Sequence, residues 1–145
     1  MVRMIIALLI TAALSVSCGP SKMAKPLQAS MPNTITLANG QVVYDLNGDW
    51  GGIYDIEILG SFEEIVRITQ KGDQFVGIKL IGSTYVGKNE KTIKGKLKQN
   101  GFKEVIVKGS NGWYTGWGKI SENGNKIEIT APLRFVYCTI TLQRK

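Results

Sequence analysis

The sequence contains no histidine, which removes the usual general base and the commonest metal ligand. Its two cysteines, Cys18 and Cys138, stand too far apart for a clustered metal site. No catalytic residues, metal or cofactor are therefore expected, and the chain is read as a non-enzyme. Proline is scarce, and three of the four prolines fall between residues 19 and 33. Acidic residues are outnumbered, 11 against 18 Lys and Arg, for a net charge of +7. Long apolar runs are missing too. The stretch Met4 to Leu14 is well short of the roughly 20 residues a membrane-spanning helix needs.

What is present begins with an address. Arg3, the short apolar core and the small residues Ser15-Val16-Ser17 ahead of Cys18 have the order of a secretory signal. A buried N-terminal helix would need a partner helix, and the rest of the chain offers none. Residues 1–17 are read as the signal, 18–33 as a modified cysteine and tether, and 34–145 as one β-barrel domain, which suits a chain of 145 residues. Gly19, Pro20, Ser21, Pro26, Ser30 and Pro32 break any periodicity in the tether. Leu14-Ser15-Val16-Ser17-Cys18 resembles a bacterial lipobox, although leucine stands one residue further from the cysteine than in the usual pattern. That resemblance implies that Cys18 is lipidated and becomes the new N-terminus. Palmitate-type chains on one residue would hold the protein to a membrane, at about 0.8 kcal/mol per buried CH₂. Ser15 and Ser17 also satisfy ordinary signal peptidase at the same bond, so the two readings differ only in the lipid on Cys18. The expected location is the cell envelope, as a membrane-anchored lipoprotein on the outer membrane or facing the periplasm.

The rest of the chain is punctuated by turns. Asn-Gly occurs at 39–40, 47–48, 100–101, 111–112 and 123–124, and Lys71-Gly72 takes an equivalent place. Asn-Gly between alternating segments is a strong hairpin signal, because glycine reaches positive φ without a steric cost. The fold class predicted is all-β: an eight-stranded antiparallel up-and-down barrel over 50–59, 63–69, 74–82, 91–98, 102–109, 113–121, 125–131 and 134–143. Pairing its first and last strands would remove the exposed edges. Residues 34–45 add a hairpin, either strapped across one end or extending the sheet.

Side-chain parity suggests one turn type throughout, a three-residue loop ending in glycine. It sets Val66 opposite Val76, Ile93 opposite Val107, Lys96 opposite Glu104, Val105 opposite Trp117, and Trp117 opposite Ile129. The inward face then includes Tyr54, Ile56, Ile58, Val76, Ile78, Leu80, Trp113, Trp117 and Cys138. A buried Cys138 without a neighbouring base would behave as a small hydrophobe.

Gly48-Asp49-Trp50 at the start of such a meander resembles the Gly-x-Trp opening of the calycins, which include lipocalins, avidins and small bacterial barrel inhibitors. The resemblance covers about 46–145 and implies a last-strand basic residue, here Arg144, covering the tryptophan. It also implies small-ligand binding or protease inhibition.

Three groups of residues are candidates for function. Trp50, Trp113, Thr115 and Trp117 are expected to bind a small apolar or glycan ligand, against the alternative that the aromatics simply fill the core. Lys94, Lys96 and Lys98 share one strand face and form a basic surface, suited to an anionic glycan, lipid head groups or an acidic protein such as an envelope protein, or merely solvated. Nucleic acid is not an expected partner of an exported chain. Asp49, Asp55, Glu57, Glu63 and Glu64 are read as solvated surface. The function expected is a membrane-anchored binding module. The alternative is a filled barrel acting as a protease inhibitor or in envelope protein interactions.

Overall fold

The computed structural model describes residues 32–145; the expected signal, the expected lipidation of Cys18 and most of the expected tether fall on residues outside them. Every strand or helix among the described residues is a β-strand. A two-stranded sheet pairs β1 (Thr34–Thr36) with β2 (Val42–Tyr44). Eight strands follow: β3 (Gly48–Ile56), β4 (Gly60–Lys71), β5 (Gln74–Lys79), β6 (Lys91–Lys98), β7 (Gly101–Gly109), β8 (Gly112–Ile120), β9 (Lys126–Leu133) and β10 (Val136–Arg144). They form a closed antiparallel barrel in which β10 pairs with β3, from Arg144↔Trp50 to Cys138↔Ile56. Closure satisfies the backbone groups that an open sheet would leave exposed.

At the closing seam Gly52 faces Leu142. A Cβ at Gly52 would overlap the Thr141 carbonyl oxygen, so the strands can approach only if this residue has no side chain. Gly52→Ala is expected to cost about 1–3 kcal/mol through overpacking, read as a lower urea midpoint. An unchanged midpoint would show that the seam is looser than its geometry implies.

The barrel has two unlike ends. One is formed by the turns 72–73 and 99–100 and the loop 121–125. The β1–β2 hairpin lies across this end rather than extending the sheet. Val43 and Leu46 join the core cluster. Gln70 clamps the strap: its Oε1 accepts from Leu46 N at 2.7 Å and its Nε2 donates to the Tyr44 carbonyl at 3.0 Å. Beneath the strap, Trp50, Ile68, Phe75, Leu97, Phe102, Ile127 and Leu142 fill the interior. The far end is formed by 57–59, the long loop 80–90, the turn 110–111 and the turn 134–135.

The β6–β7 register is the expected one, with Ile93↔Val107 and Lys96↔Glu104, though a bulge intervenes before Leu97↔Phe102. Three other expectations need correction. The β4–β5 turn holds two residues, Gly72-Asp73, so Thr69 rather than Val66 faces Val76. Phe75, Gly77 and Lys79 therefore point inward, and Val76 and Ile78 lie on the outer wall. The β7–β8 turn also holds two residues, giving Val105↔Gly116, and Ile129 pairs with Gly118. This inverts β8. Trp113, Thr115 and Trp117 face solvent, while Tyr114, Gly116 and Gly118 face the interior. A Cβ at Gly116 would sit 2.5 Å from the Thr130 oxygen, and one at Gly118 2.6 Å from the Glu128 oxygen; the interior has no room there for tryptophan. Finally, β3 ends at Ile56, and Ile58 is 75% exposed in the turn that follows.

Candidate binding site

The far end of the barrel is recessed. A cavity of about 280 Å³ opens between four loops and is lined by Tyr54 and Ile56 of β3, Ile58 and Leu59 of the next turn, and Tyr85 of the long loop. Gly109, Ser110, Asn111 and Tyr114 line it from the β7–β8 hairpin, and Leu133, Arg134, Phe135 and Val136 from the β9–β10 hairpin. Two hairpins form one side of the mouth. Glu57 N donates to the Tyr137 carbonyl at 3.0 Å and Tyr137 N donates to Glu57 Oε2 at 3.3 Å, which joins their tips. Phe135 is 83% exposed there, with the Arg134 guanidinium 4.8 Å from its ring centroid. Arg134 has a φ of 57°, uncommon for a residue with a side chain, and such conformations concentrate at functional sites.

The opposite side is the loop 80–90, which is folded rather than open. Ser83 Oγ accepts from Val86 N at 3.2 Å, Val86 is buried, and Tyr85 packs edge-on against Phe62 at 5.5 Å.

Tyr54 is 2% exposed, and its phenolic oxygen has no hydrogen-bond partner among the described residues. Burial raises its pKa, and the adjacent Cys138 raises it further through its charge and a contact from the phenol to its sulfur, so the phenol stays neutral, with only a weak sulfur acceptor beside it. An unmet buried donor costs on the order of 1–3 kcal/mol unless something occupying the recess accepts from it. Beside Tyr54 lies a buried charge pair. Lys79 Nζ is 2.5 Å from Glu64 Oε2, 3.3 Å from Ser83 Oγ and 5.3 Å from the Tyr54 ring centroid. Thr92 Oγ1 donates to Glu64 Oε1 at 3.4 Å. Burial pushes the Glu64 pKa up, and the hydrogen bond from Lys79 opposes the shift. Glu64 is therefore not solvated surface as expected. The signal was its parity: it shares a strand face with Val66 and Ile68. Lys79 becomes visible in the same way once the turn at Gly72-Asp73 is given two residues. Cys138 is buried, as expected, and forms no disulfide among the described residues; burial raises its pKa.

The expected ligand residues do not meet in this recess. Trp50 is sealed at the strapped end, donating from Nε1 to the Leu46 carbonyl at 2.9 Å. Arg144 covers it with Cζ 4.5 Å from the ring centroid, and donates from Nη1 to the Asn47 carbonyl at 2.7 Å and from Nη2 to the Asp45 carbonyl. Trp113, Thr115 and Trp117 stand on the outer wall. Lys94, Lys96 and Lys98 share the outer face of β6, as parity implied, and Lys94 and Lys96 border an open outer groove with Lys71, Gln74 and Glu104. Among the described residues there is no cluster of three or more acidic, cysteine or histidine side chains arranged to hold a metal ion. No helix among them is long and apolar enough to cross a membrane. Comparison with known protein families, with curated proteins and with solved structures gave no match to this chain.

Proposed function

We propose that this chain is a lipid-anchored, calycin-like binding protein of the cell envelope, held to the membrane through Cys18, whose barrel takes a small apolar ligand at its open end. The observation that carries this reading is the asymmetry of the barrel. One end is strapped and filled, and the other opens through an apolar mouth onto the unmet Tyr54 donor. The Gly48-Asp49-Trp50 opening and the Arg144 cover support the calycin likeness. A non-enzymatic role is supported by the state of the floor: Glu64 is bound up with Lys79 and Thr92 rather than presented to the recess.

The recess is about 280 Å³. A 150 Å³ cavity accommodates benzene, so a ligand of roughly a dozen non-hydrogen atoms is the right size. Decanoate is a suitable probe, with its carboxylate accepting from Tyr54 and its chain toward the mouth. Saturating decanoate should raise Tm by mass action. Val136→Trp, which fills the mouth, should weaken decanoate binding at least tenfold in calorimetric titration while leaving the fold intact by circular dichroism. Full affinity in that variant would sink the reading.

The exposed tips Ile58, Leu59 and Phe135 favour a second reading, a protein-interaction barrel. On that reading Phe135→Ser abolishes association with a partner while Val136→Trp leaves it unchanged.

A further inference from the structure

The inverted β8 leaves an aromatic row on the outer wall that the recess does not use. Trp117 is 57% exposed and Tyr137 52% exposed, with ring centroids 6.3 Å apart at an interplanar angle of 66°. The two rings form an exposed pair rather than the singly scattered apolar residues of an ordinary surface. Trp117 borders a groove of about 450 Å³ together with Lys119, Glu128, Thr130 and Thr139. One groove thus offers a flat ring, two hydroxyls, a carboxylate and an ammonium group. Lys119 and then Lys126 hydrogen-bond the Glu128 carboxylate and hold its pKa at about 2, which keeps it a fixed acceptor. Four residues along β8, about 13 Å at the usual rise per strand residue, stands Trp113. Lys94 Nζ lies 4.4 Å and Lys108 Nζ 5.6 Å from its ring centroid.

We propose that the outer face of β8, flanked by β6 and β7 on one side and by β9 and β10 on the other, binds a linear polysaccharide that carries carboxylates. The axial C–H bonds of a pyranose give it an apolar face that stacks on an aromatic ring, and its hydroxyls exchange hydrogen bonds with Thr130, Thr139 and Glu128. The spacing of Trp113 and Trp117 takes an oligomer rather than one sugar. The lysines around Trp113 supply charge for the carboxylates, and Lys96 and Lys98 extend that charge along β6. A protein partner fits this face less well, because the centres of protein interfaces are depleted in charge, whereas here charged groups flank both tryptophans. The site is separate from the recess and does not depend on it.

The test is calorimetric titration of the full exported chain with polygalacturonate, with its neutral methyl ester and with dextran. Polygalacturonate should bind and shift the tryptophan emission, which reports Trp113 and Trp117 because Trp50 is sealed. Trp117→Ala should weaken binding at least tenfold, Trp113→Ala several-fold, and neither should alter decanoate binding. The methyl ester should bind at least fivefold more weakly than the acid, and dextran more weakly still. Three outcomes would overturn the proposal: no binding of polygalacturonate in low salt, binding equal in wild type and Trp117→Ala, which would mean charge alone, or self-association through Trp117 in place of glycan binding. The emission shift in the wild-type chain keeps the proposal testable even if a tryptophan variant fails to fold.

Discussion

Lys79→Met should destabilise the barrel by about 3–5 kcal/mol, the range for breaking one half of a buried ion pair. It should appear as a lower urea midpoint with an unchanged slope. Lys79 and Glu64 are both fully buried, and the ammonium is the carboxylate's charged partner. Without it Glu64 must either bury a bare charge or take up a proton.

The pH dependence gives this prediction its sharper form. Burial already raises the Glu64 pKa, and Lys79 is the largest influence pulling it back, so its loss lets the pKa rise further. A carboxyl whose folded pKa lies above its unfolded value contributes stability that is fully present below the unfolded pKa, about 4.3. That contribution is lost as pH rises through the folded pKa. The deficit of Lys79→Met should therefore be small near pH 4 and grow toward neutrality. A deficit that does not change with pH would show that only packing was lost. Replacing both partners, Glu64→Leu with Lys79→Met, should recover most of the stability, because well-packed apolar residues of similar volume often match a buried pair. If the double variant is nevertheless weak in decanoate binding, the pair acts in positioning Tyr54, whose ring Lys79 touches.

Strand number and closure were legible in the sequence because they rest on local signals: Asn-Gly turns, alternation, and a first and last strand of matching apolar parity. Facing was legible only where the loop length was right. On β8 both registers shifted by one residue toward the glycine neighbouring Trp117, so Val105 and Ile129 each face a glycine. The two one-residue shifts cancel across the strand, which is why β9 and β10 still face the expected way while β8 does not. The sequence held a clue. Lys119 shares the parity of Trp113 and Trp117, and Ile120 shares that of Tyr114, Gly116 and Gly118. Apolar content misleads more than charge here, because a three-residue loop turns the tryptophans inward onto apolar partners, whereas only glycine fits against the β9 carbonyls. The recess was not legible. It arises where four loops far apart in sequence come together, and its polar floor joins residues on β3, β4, β5 and β6 through contacts that no local pattern encodes.

At the strapped end the corresponding prediction concerns Trp50. Trp50→Ala should cost about 3–5 kcal/mol as a large-to-small core change, since the ring is fully buried and its Nε1 is bonded to the Leu46 carbonyl. Arg144→Ala should cost about 1.5–3 kcal/mol, the scale of hydrogen bonds from a charged group, because the guanidinium ties the carbonyls of Asp45 and Asn47 to the last strand. If Arg144 also gains from lying over the indole, the two losses are not independent. The double variant should then fall short of their sum by about 0.5–3 kcal/mol, as contacting residues do. Strict additivity in urea unfolding would mean that Arg144 works only through the carbonyls and that its stacking on Trp50 carries no energy. Decanoate affinity separates this end from the other. It should be unchanged in Arg144→Ala under conditions where the variant is fully folded, because neither the guanidinium nor the indole reaches the recess. A loss of affinity there would show that the strap transmits its state along the barrel, and that Trp50 contributes to ligand binding after all, through the packing of the filled half rather than by contact.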